Sequence, residues 1–258
     1  MNKHNARRRF GQNFLTDPSV IRAIINLIQP KEGENLIEIG PGLGALTTPL
    51  LENLDHLTVI EIDRDLVSRL QGKWTPSRLA IVSNDVLNVD FSKFGGKLRI
   101  LGNLPYNIST PLLFHLLNYT TYIHDLHFML QKEVVERMVA KPGSSAYGRL
   151  SVMLQYRFDM EMMMTVPAHA FNPKPKVESA IVYMVPKYTQ PSAVDEPHLS
   201  RLVKTAFSQR RKTLRNTLKG MVDQSIFPIA QIDDTLRAED LSIADYVRLA
   251  NLTYPGSV

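Results

Sequence analysis

The sequence predicts an α/β fold: a parallel sheet covered by helices, followed by a small all-helical domain. Three observations predict it. Short apolar runs alternate with amphipathic stretches from residue 17 to about 140, the pattern of βαβ units. A glycine turn, Gly40-Pro41-Gly42-Leu43-Gly44, separates one apolar run from the next helical stretch. Past a proline-rich segment at 186–197 the strand-like runs stop and the pattern turns helical. At 258 residues the chain can bury a sizeable core and carry a small appendage. Hydrophobic residues at 44% and charged residues at 21% are an ordinary globular composition.

The elements follow in order. Residues 17–29 read as a helix, with Asp17 as N-cap, Pro18 at its first position, and Val20, Ile21, Ile24, Ile25 and Ile28 on one face. Asn35–Ile39 reads as a buried strand ending at Gly40, and 45–54 as a helix. Leu57–Ile62 is the next strand, 64–74 a helix, and Leu79–Val82 and Leu98–Leu101 two further strands. Pro111–Asn118 is helical, with Ser109 and Thr110 as capping candidates; Leu126–Leu130 is a strand and Lys132–Val139 a helix. Residues 151–167 and 177–186 read as two β-rich runs, antiparallel strands closing one sheet edge. Residues 199–221, 230–240 and 242–252 then read as helices. The boundary is placed after residue 187, giving a sheet domain at 1–187 and a helical domain at 188–258.

Composition excludes several chemistries. With no cysteine there is no disulfide, zinc–thiolate site, iron–sulfur cluster or cysteine nucleophile. No apolar run approaches the ~18 residues of a membrane span. The N-terminus, MNKHNARRRF, lacks the apolar core of a secretory signal, so a cytoplasmic location and no membrane partner are expected. The seven histidines are scattered. His124 and His127 would face opposite sides of a strand, so no metal is expected. Gly95-Gly96-Lys97 lacks the rest of a phosphate-binding loop. Lys plus Arg outnumber Asp plus Glu 30 to 25. Seven basic residues and no acid lie between Arg201 and Lys219, and Arg7, Arg8 and Arg9 form a second cluster. Such a run is either a solvated surface or a patch for a polyanion.

The strand ends carry the chemistry. The glycine turn permits close backbone approach to a ligand. Its Gly-x-Gly-x-Gly spacing departs from the Gly-x-Gly-x-x-Gly of dinucleotide folds, which disfavours a nicotinamide-dependent dehydrogenase. It suits a ligand with a nucleoside and a zwitterionic tail. Glu61 ends the second strand, about where an acid accepts ribose hydroxyls; the alternative is a surface acid capping the following helix. Asp85 follows the third strand and could accept from an adenine amino group; the alternative is an Asx turn. Asn103-Leu104-Pro105-Tyr106 follows the fourth. An exocyclic base amine is a poor nucleophile because its lone pair is delocalised into the ring. The Asn103 side-chain oxygen and the Leu104 carbonyl could hold its hydrogens and draw that pair out of conjugation. Pro105 fixes the turn, and Tyr106 offers a face for an extruded base. A plain proline turn with a capping Asn is the alternative.

The set GQNFL (11–15), IEIGPGLGALT (37–47), VIEID (59–63), NDVL (84–87), GNLPYNIST (102–110), FNPKPKVESAIV (171–182) and AFSQRRKTLRN (206–216) closely resembles the small-subunit ribosomal RNA adenine dimethyltransferases. The resemblance runs from about residue 7 to about 250, with motifs in family order. It implies a Rossmann-like class I S-adenosylmethionine-dependent methyltransferase sheet. It implies an enzyme that makes N6,N6-dimethyladenosine at two adjacent adenines of the 3′-terminal hairpin of small-subunit (16S) rRNA, with a role in small-subunit biogenesis. Its implied partner is that rRNA or the 30S particle, and a monomer is expected. Residue by residue, it implies that Gln12, Asn13 and Leu15 belong to a segment closing over S-adenosylmethionine. Gly40 lies under the methionine part, Glu61 takes the ribose hydroxyls, and Asp85 takes the adenine amine with Val86 backing the ring. Asn103 sits beside the cofactor and holds the target amine, and Tyr106 and Phe171 sandwich the flipped base. Lys174 and Lys176 would hold the strand around it. Arg210, Arg211, Lys212 and Arg215, read as one helical turn, would contact phosphates. Two rivals remain: a large-subunit rRNA adenine dimethylase, which shares the Asn-x-Pro-Tyr-type motif, and a non-catalytic assembly or transcription factor on the same fold.

Overall fold

The computed structural model describes residues 12–188 and 191–255. Arg7, Arg8, Arg9 and Gly11 lie outside the described residues. Two compact units divide the chain: residues 1–135 with 160–186, and residues 136–159 with 187–258. The sequence boundary at 187 put 136–159 with the sheet; contacts group that segment with the C-terminal unit instead.

In the first unit, β1 (Phe14–Leu15) leads into α1 (Pro18–Ile28). The Asp17 carboxylate caps α1 by accepting the Ser19 and Val20 amides, with Pro18 in the first turn. β2 (Leu36–Ile39), α2 (Thr47–Leu51), β3 (Leu57–Glu61), α3 (Arg64–Gln71), β4 (Leu79–Ser83), β5 (Leu98–Asn103), α4 (Ser109–Leu116) and β6 (Ile123–Gln131) follow. They alternate because each strand is a nearly continuous apolar run, as a strand buried on both faces requires. β2–β6 pair in parallel in the order β4-β3-β2-β5-β6. Two later strands extend the sheet in the order β9-β7 beyond β6: β7 (Phe158–Val166) and β9 (Ser179–Pro186). β9 runs antiparallel to β6, from Leu126↔Met184 to Gln131↔Ser179. A separate two-stranded ladder joins β1 to β8 (Phe171–Asn172) through Leu15↔Phe171 and Phe14↔Asn172. A buried cluster takes in Ile24 and Ile28 of α1, Leu50 of α2, Leu101 of β5 and Ile181 of β9.

In the second unit, α6 (Arg149–Arg157), α7 (Glu196–Ala206) and α10 (Ile243–Thr253) make the core, with short α8 (Leu214–Thr217) and α9 (Ile226–Ile229); α5 (Lys132–Val139) bridges the division in sequence. Leu202 and Val203 of α7 and Val247 and Leu249 of α10 are fully buried. Tyr147, Phe207 and Tyr246 form a ring cluster with centroids 6.0–6.4 Å apart.

Three sequence expectations fail locally. Residues 151–157, expected as strand, are helical in α6, and the strand begins only at Phe158. Leu150 through Leu154 are all buried, Ser151 included, so burial follows no single face. Ser151 and Gln155 are satisfied on the Arg137, Met138 and Ala140 carbonyls, and a short, mostly apolar run reads the same either way. Residues 230–240 are turns with one 3₁₀ turn at Ala238–Asp240. The Asp233 carboxylate accepts the Thr235 amide and hydroxyl, an Asx turn that competes with helix. Residues 207–213 are also not helical. A helix there would need an apolar residue at 210 or 211 to face the core, and both are Arg. The backbone is drawn off instead: Leu214 N–H donates to Leu236 C=O at 2.8 Å, and Thr213 pairs with Arg237.

Candidate active site

Parallel register brings the strand tips together. Ile39 lies opposite Ile60 on one side and Gly102 on the other, and Glu61 lies opposite Ser83. The residues just beyond therefore open at one edge, the carboxyl edge where open sheets bind ligands. A cleft of about 930 Å³, counting open solvent at its mouth, is lined there by Gly40, Glu61, Asp85 and Asn103. Gln12, Asn13, Val86, Leu104 and Tyr106 also line it. Leu15 and Phe171 do not. Both are about 95% buried in the apolar cluster, paired across the β1–β8 ladder. In this conformation the Phe171 ring is core and not one face of an open sandwich. Lys174 and Lys176 are exposed on the loop before β9.

The glycine turn is left-handed at all three glycines, with φ of +67°, +58° and +84° at Gly40, Gly42 and Gly44. A side chain at any of them would be strained. A Cβ on Gly42 would lie 3.2 Å from the Phe14 ring, so the N-terminal segment sits against the turn. Gly102, within β5, is tighter: a Cβ there would come 2.5 Å from the Ile39 carbonyl oxygen. Only glycine lets β5 run this close to β2 and bring Asn103 beside the turn.

The carboxylates are placed by backbone amides. Glu61, 6% exposed, accepts the Asp63 N–H at 2.9 Å and the Gly42 N–H at 3.4 Å. Burial pushes its carboxyl above the usual range, and those two amides partly offset the shift. Asp85 accepts the Leu87 N–H at 3.0 Å on one oxygen, so the Asx-turn reading holds for half of the group. The same residue lines the cleft. Glu38, beneath the glycine turn, is 2% exposed and accepts the Thr47 hydroxyl at 2.6 Å. Desolvation first, opposed by the Thr47 hydrogen bond and aided by the charge of Glu61, pushes it up to about 7.

The Asn103 amide has a defined orientation. Its Nδ2 donates to the Asn13 carbonyl at 3.0 Å. A carbonyl only accepts, so the nitrogen must face Asn13, and Oδ1 is left as an acceptor. The Leu104 N–H donates to the Met129 carbonyl of β6 at 3.1 Å. Tyr106 shares a hydroxyl–hydroxyl hydrogen bond of 2.9 Å with Ser179, and the Ser109 hydroxyl donates to the Tyr106 carbonyl at 2.9 Å. Gln12 Nε2 donates to Asp63 at 3.2 Å, so residues 12–13 reach from the start of α3 to the end of β5.

Sequence reasoning missed Phe14, Ile62 and Ser179. Ile62 lines the cleft and is 46% exposed; an isoleucine directly after a strand-end acid was the available signal. Nothing in the sequence marked Ser179 as a partner of Tyr106. In the second unit, Arg210, Arg211, Lys212 and Arg215 are all exposed, and no ion pair engages them among the described residues. Arg210 donates to the Ser145 carbonyl at 2.9 Å. Arg210–Lys212 lie in the turn between α7 and α8, and Arg215 on α8, so they do not share a helical turn. Among the described residues no group of three or more His, Cys, Asp or Glu is placed to hold a metal ion. No described helix is long and apolar enough to cross a membrane.

The residues fit a nucleoside with a cationic tail. Glu61 keeps acceptor capacity for a diol, Ile62 and Val86 offer apolar surface for a flat ring, and the turn leaves space for a tail. This fold and cleft define a class I S-adenosylmethionine-dependent methyltransferase. The chain matches the family model for ribosomal RNA adenine dimethylase over residues 3–254 and belongs to that family. It is 56% identical over 252 residues to a protein of Dechloromonas aromatica named Ribosomal RNA small subunit methyltransferase A, covering 97% of this chain and 99% of the relative. A protein of the same name from Aromatoleum aromaticum is 58% identical over 252 residues, covering 97% and 95%. The fold also matches a crystal structure of a dimethyladenosine transferase from Plasmodium falciparum, with TM-score 0.75 and 25% identity over 92% of this chain and 95% of that one. The 23S rRNA methyltransferase ErmE shares the fold with TM-score 0.72 at 22% identity, covering 93% and 99%.

Proposed function

We propose that this enzyme dimethylates N6 of two adjacent adenines in the 3′-terminal hairpin of small-subunit rRNA, acting as a monomer in the cytoplasm on the 30S particle. The observation that carries the reading is the Asn103 amide, its nitrogen tied to Asn13 and its oxygen left over in a cleft shared with Glu61 and Asp85. Relatives named for the small subunit, at 56–58% identity, favour that RNA over the large-subunit one.

Glu61 accepts the ribose hydroxyls, Asp85 the adenine amine, and Val86 backs that ring. Gln12 and Asn13 close the segment over the site, and Gly40 admits the methionine part. When bound, the cofactor supplies a methyl group activated for transfer. Asn103 Oδ1 and the Leu104 carbonyl take hydrogen bonds from the target amine and draw its lone pair out of conjugation with the ring. Tyr106 carries the extruded ring. No strong base is needed, because the amine becomes acidic only as it is alkylated; alignment and charge placement supply the acceleration. Lys174, Lys176 and the basic turn at 210–212, with Arg215, bind phosphates. Mass spectrometry of nucleosides from small and from large subunits, each incubated with enzyme and labelled cofactor, tests this. Labelled N6,N6-dimethyladenosine is expected; label confined to large-subunit RNA would overturn the choice of substrate.

A further inference from the structure

We infer that Ser179 is the positioning residue for the Tyr106 ring, an inference that rests on the reading of Tyr106 as the platform for the target base. Ser179 is 1% exposed and opens β9 opposite Gln131, the last residue of β6. Its hydroxyl meets the Tyr106 hydroxyl at 2.9 Å. A buried serine most often satisfies its hydroxyl on a nearby backbone carbonyl; this one reaches 73 residues along the chain to a side chain in the cleft. The preceding residue is fixed as well, since Glu178 accepts the Lys132 N–H on its carbonyl and pairs with the Lys132 ammonium, both at 3.0 Å. The anchor is therefore tied to the end of β6 and the start of α5 through the backbone.

Tyr106 is held at its backbone and at its hydroxyl. Ser109 fixes its main-chain carbonyl and Ser179 fixes its tip. Without the second hold the ring could turn about its side-chain torsions and lose its offset against a stacked base. A ring set before the base arrives needs no ordering when it binds. The hydroxyl thus acts through ring orientation and takes no part in proton transfer. Ser179 also ends the loop that carries Lys174 and Lys176, so the loop proposed to hold the RNA strand and the platform for its base share one fixed point.

The test is a double-mutant cycle on methylation of small-subunit RNA, with cofactor affinity measured by calorimetry. Ser179→Ala and Tyr106→Phe are each expected to lower kcat/KM for RNA about fivefold to tenfold, with cofactor Kd within twofold. The double variant should lose no more than the worse single variant, and Ser179→Thr should regain most of the activity. Independent, multiplying losses would overturn the inference, as would a parallel rise in cofactor Kd, which would make Ser179 a support of the sheet. Wild-type kinetics in Ser179→Ala beside an inactive Tyr106→Ala would remove Ser179 alone. Wild-type kinetics in Tyr106→Ala would instead remove the reading of Tyr106 as platform.

Discussion

The cleft at the strand tips and the basic turn at 207–213 are built by opposite means. In the cleft the four groups assigned to the chemistry are each held: Asn103 by Asn13, Glu61 by two amides, Asp85 by Leu87, Tyr106 by Ser179. The turn presents exposed Arg210, Arg211 and Lys212, of which Arg210 alone has a described hydrogen bond from its side chain. The difference follows from the task of each. Methyl transfer requires a few atoms placed to within a fraction of an ångström. Phosphate binding requires charge, and long mobile side chains supply it at many geometries.

The contrast can be broken in order of expected effect. Asn103→Ala should cut methyl transfer by about 10²–10³-fold, the range for losing one preorganised polar contact, with cofactor Kd changed only a few-fold. Normal turnover would move the chemistry elsewhere. Gly102→Ala touches no ligand, yet its Cβ would meet the Ile39 carbonyl oxygen at 2.5 Å. A stability loss of about 1–3 kcal/mol and at least tenfold slower transfer are expected; chemical denaturation and single-turnover kinetics check both. If the variant were fully active, the close approach of β5 to β2 would not set the position of Asn103.

The basic turn should behave differently. Arg211→Ala with Lys212→Ala should weaken RNA binding and reduce the steepness of its salt dependence by about 1–2 in the log–log slope. Arg211→Lys should be nearly neutral, because charge matters there and fork geometry does not. An unchanged slope in the double variant would place the phosphate contacts elsewhere, and a large loss in Arg211→Lys would show that the turn is as exacting as the cleft.

The smallest effect concerns the charge beneath the glycine turn. Glu38 is raised to about 7 in the folded protein, from an unfolded value of 4.5. The folded state therefore binds this proton more tightly. The stability it favours is fully present below about pH 4.5 and is lost as pH rises through about 7. Glu38→Gln should remove that slope, so the Tm of the variant relative to the parent should rise between pH 5 and pH 8. The upper bound is on the order of 3 kcal/mol. A pH-independent difference would mean that Glu38 is ionised throughout.

The legible parts of the sequence were those where one local rule decided. Asp17-Pro18 announced α1, and each parallel strand was a short apolar run ending at a polar or glycine residue. Because parallel strands in register end together, naming four strand-end residues already placed Gly40, Glu61, Asp85 and Asn103 on one edge. Residues 151–157 and 207–213 misled for one shared reason. The first is short and buried around most of its circumference, and the second has no apolar residue between Phe207 and Leu214, so neither carries a clear periodicity to read.

The linear chain by itself determined the α/β class, the glycine turn, the order of the strand-end groups and the positive charge between Arg201 and Lys219, since each depends on residue type and near neighbours. The tertiary structure alone decided that Phe171 faces the core, that the arginines leave the helix, that Asn13 orients Asn103 from 90 residues away, and that Ser179 holds Tyr106. Those outcomes depend on which distant backbone or side-chain group completes a hydrogen bond or fills a space, and such pairings leave no trace in spacing along the chain.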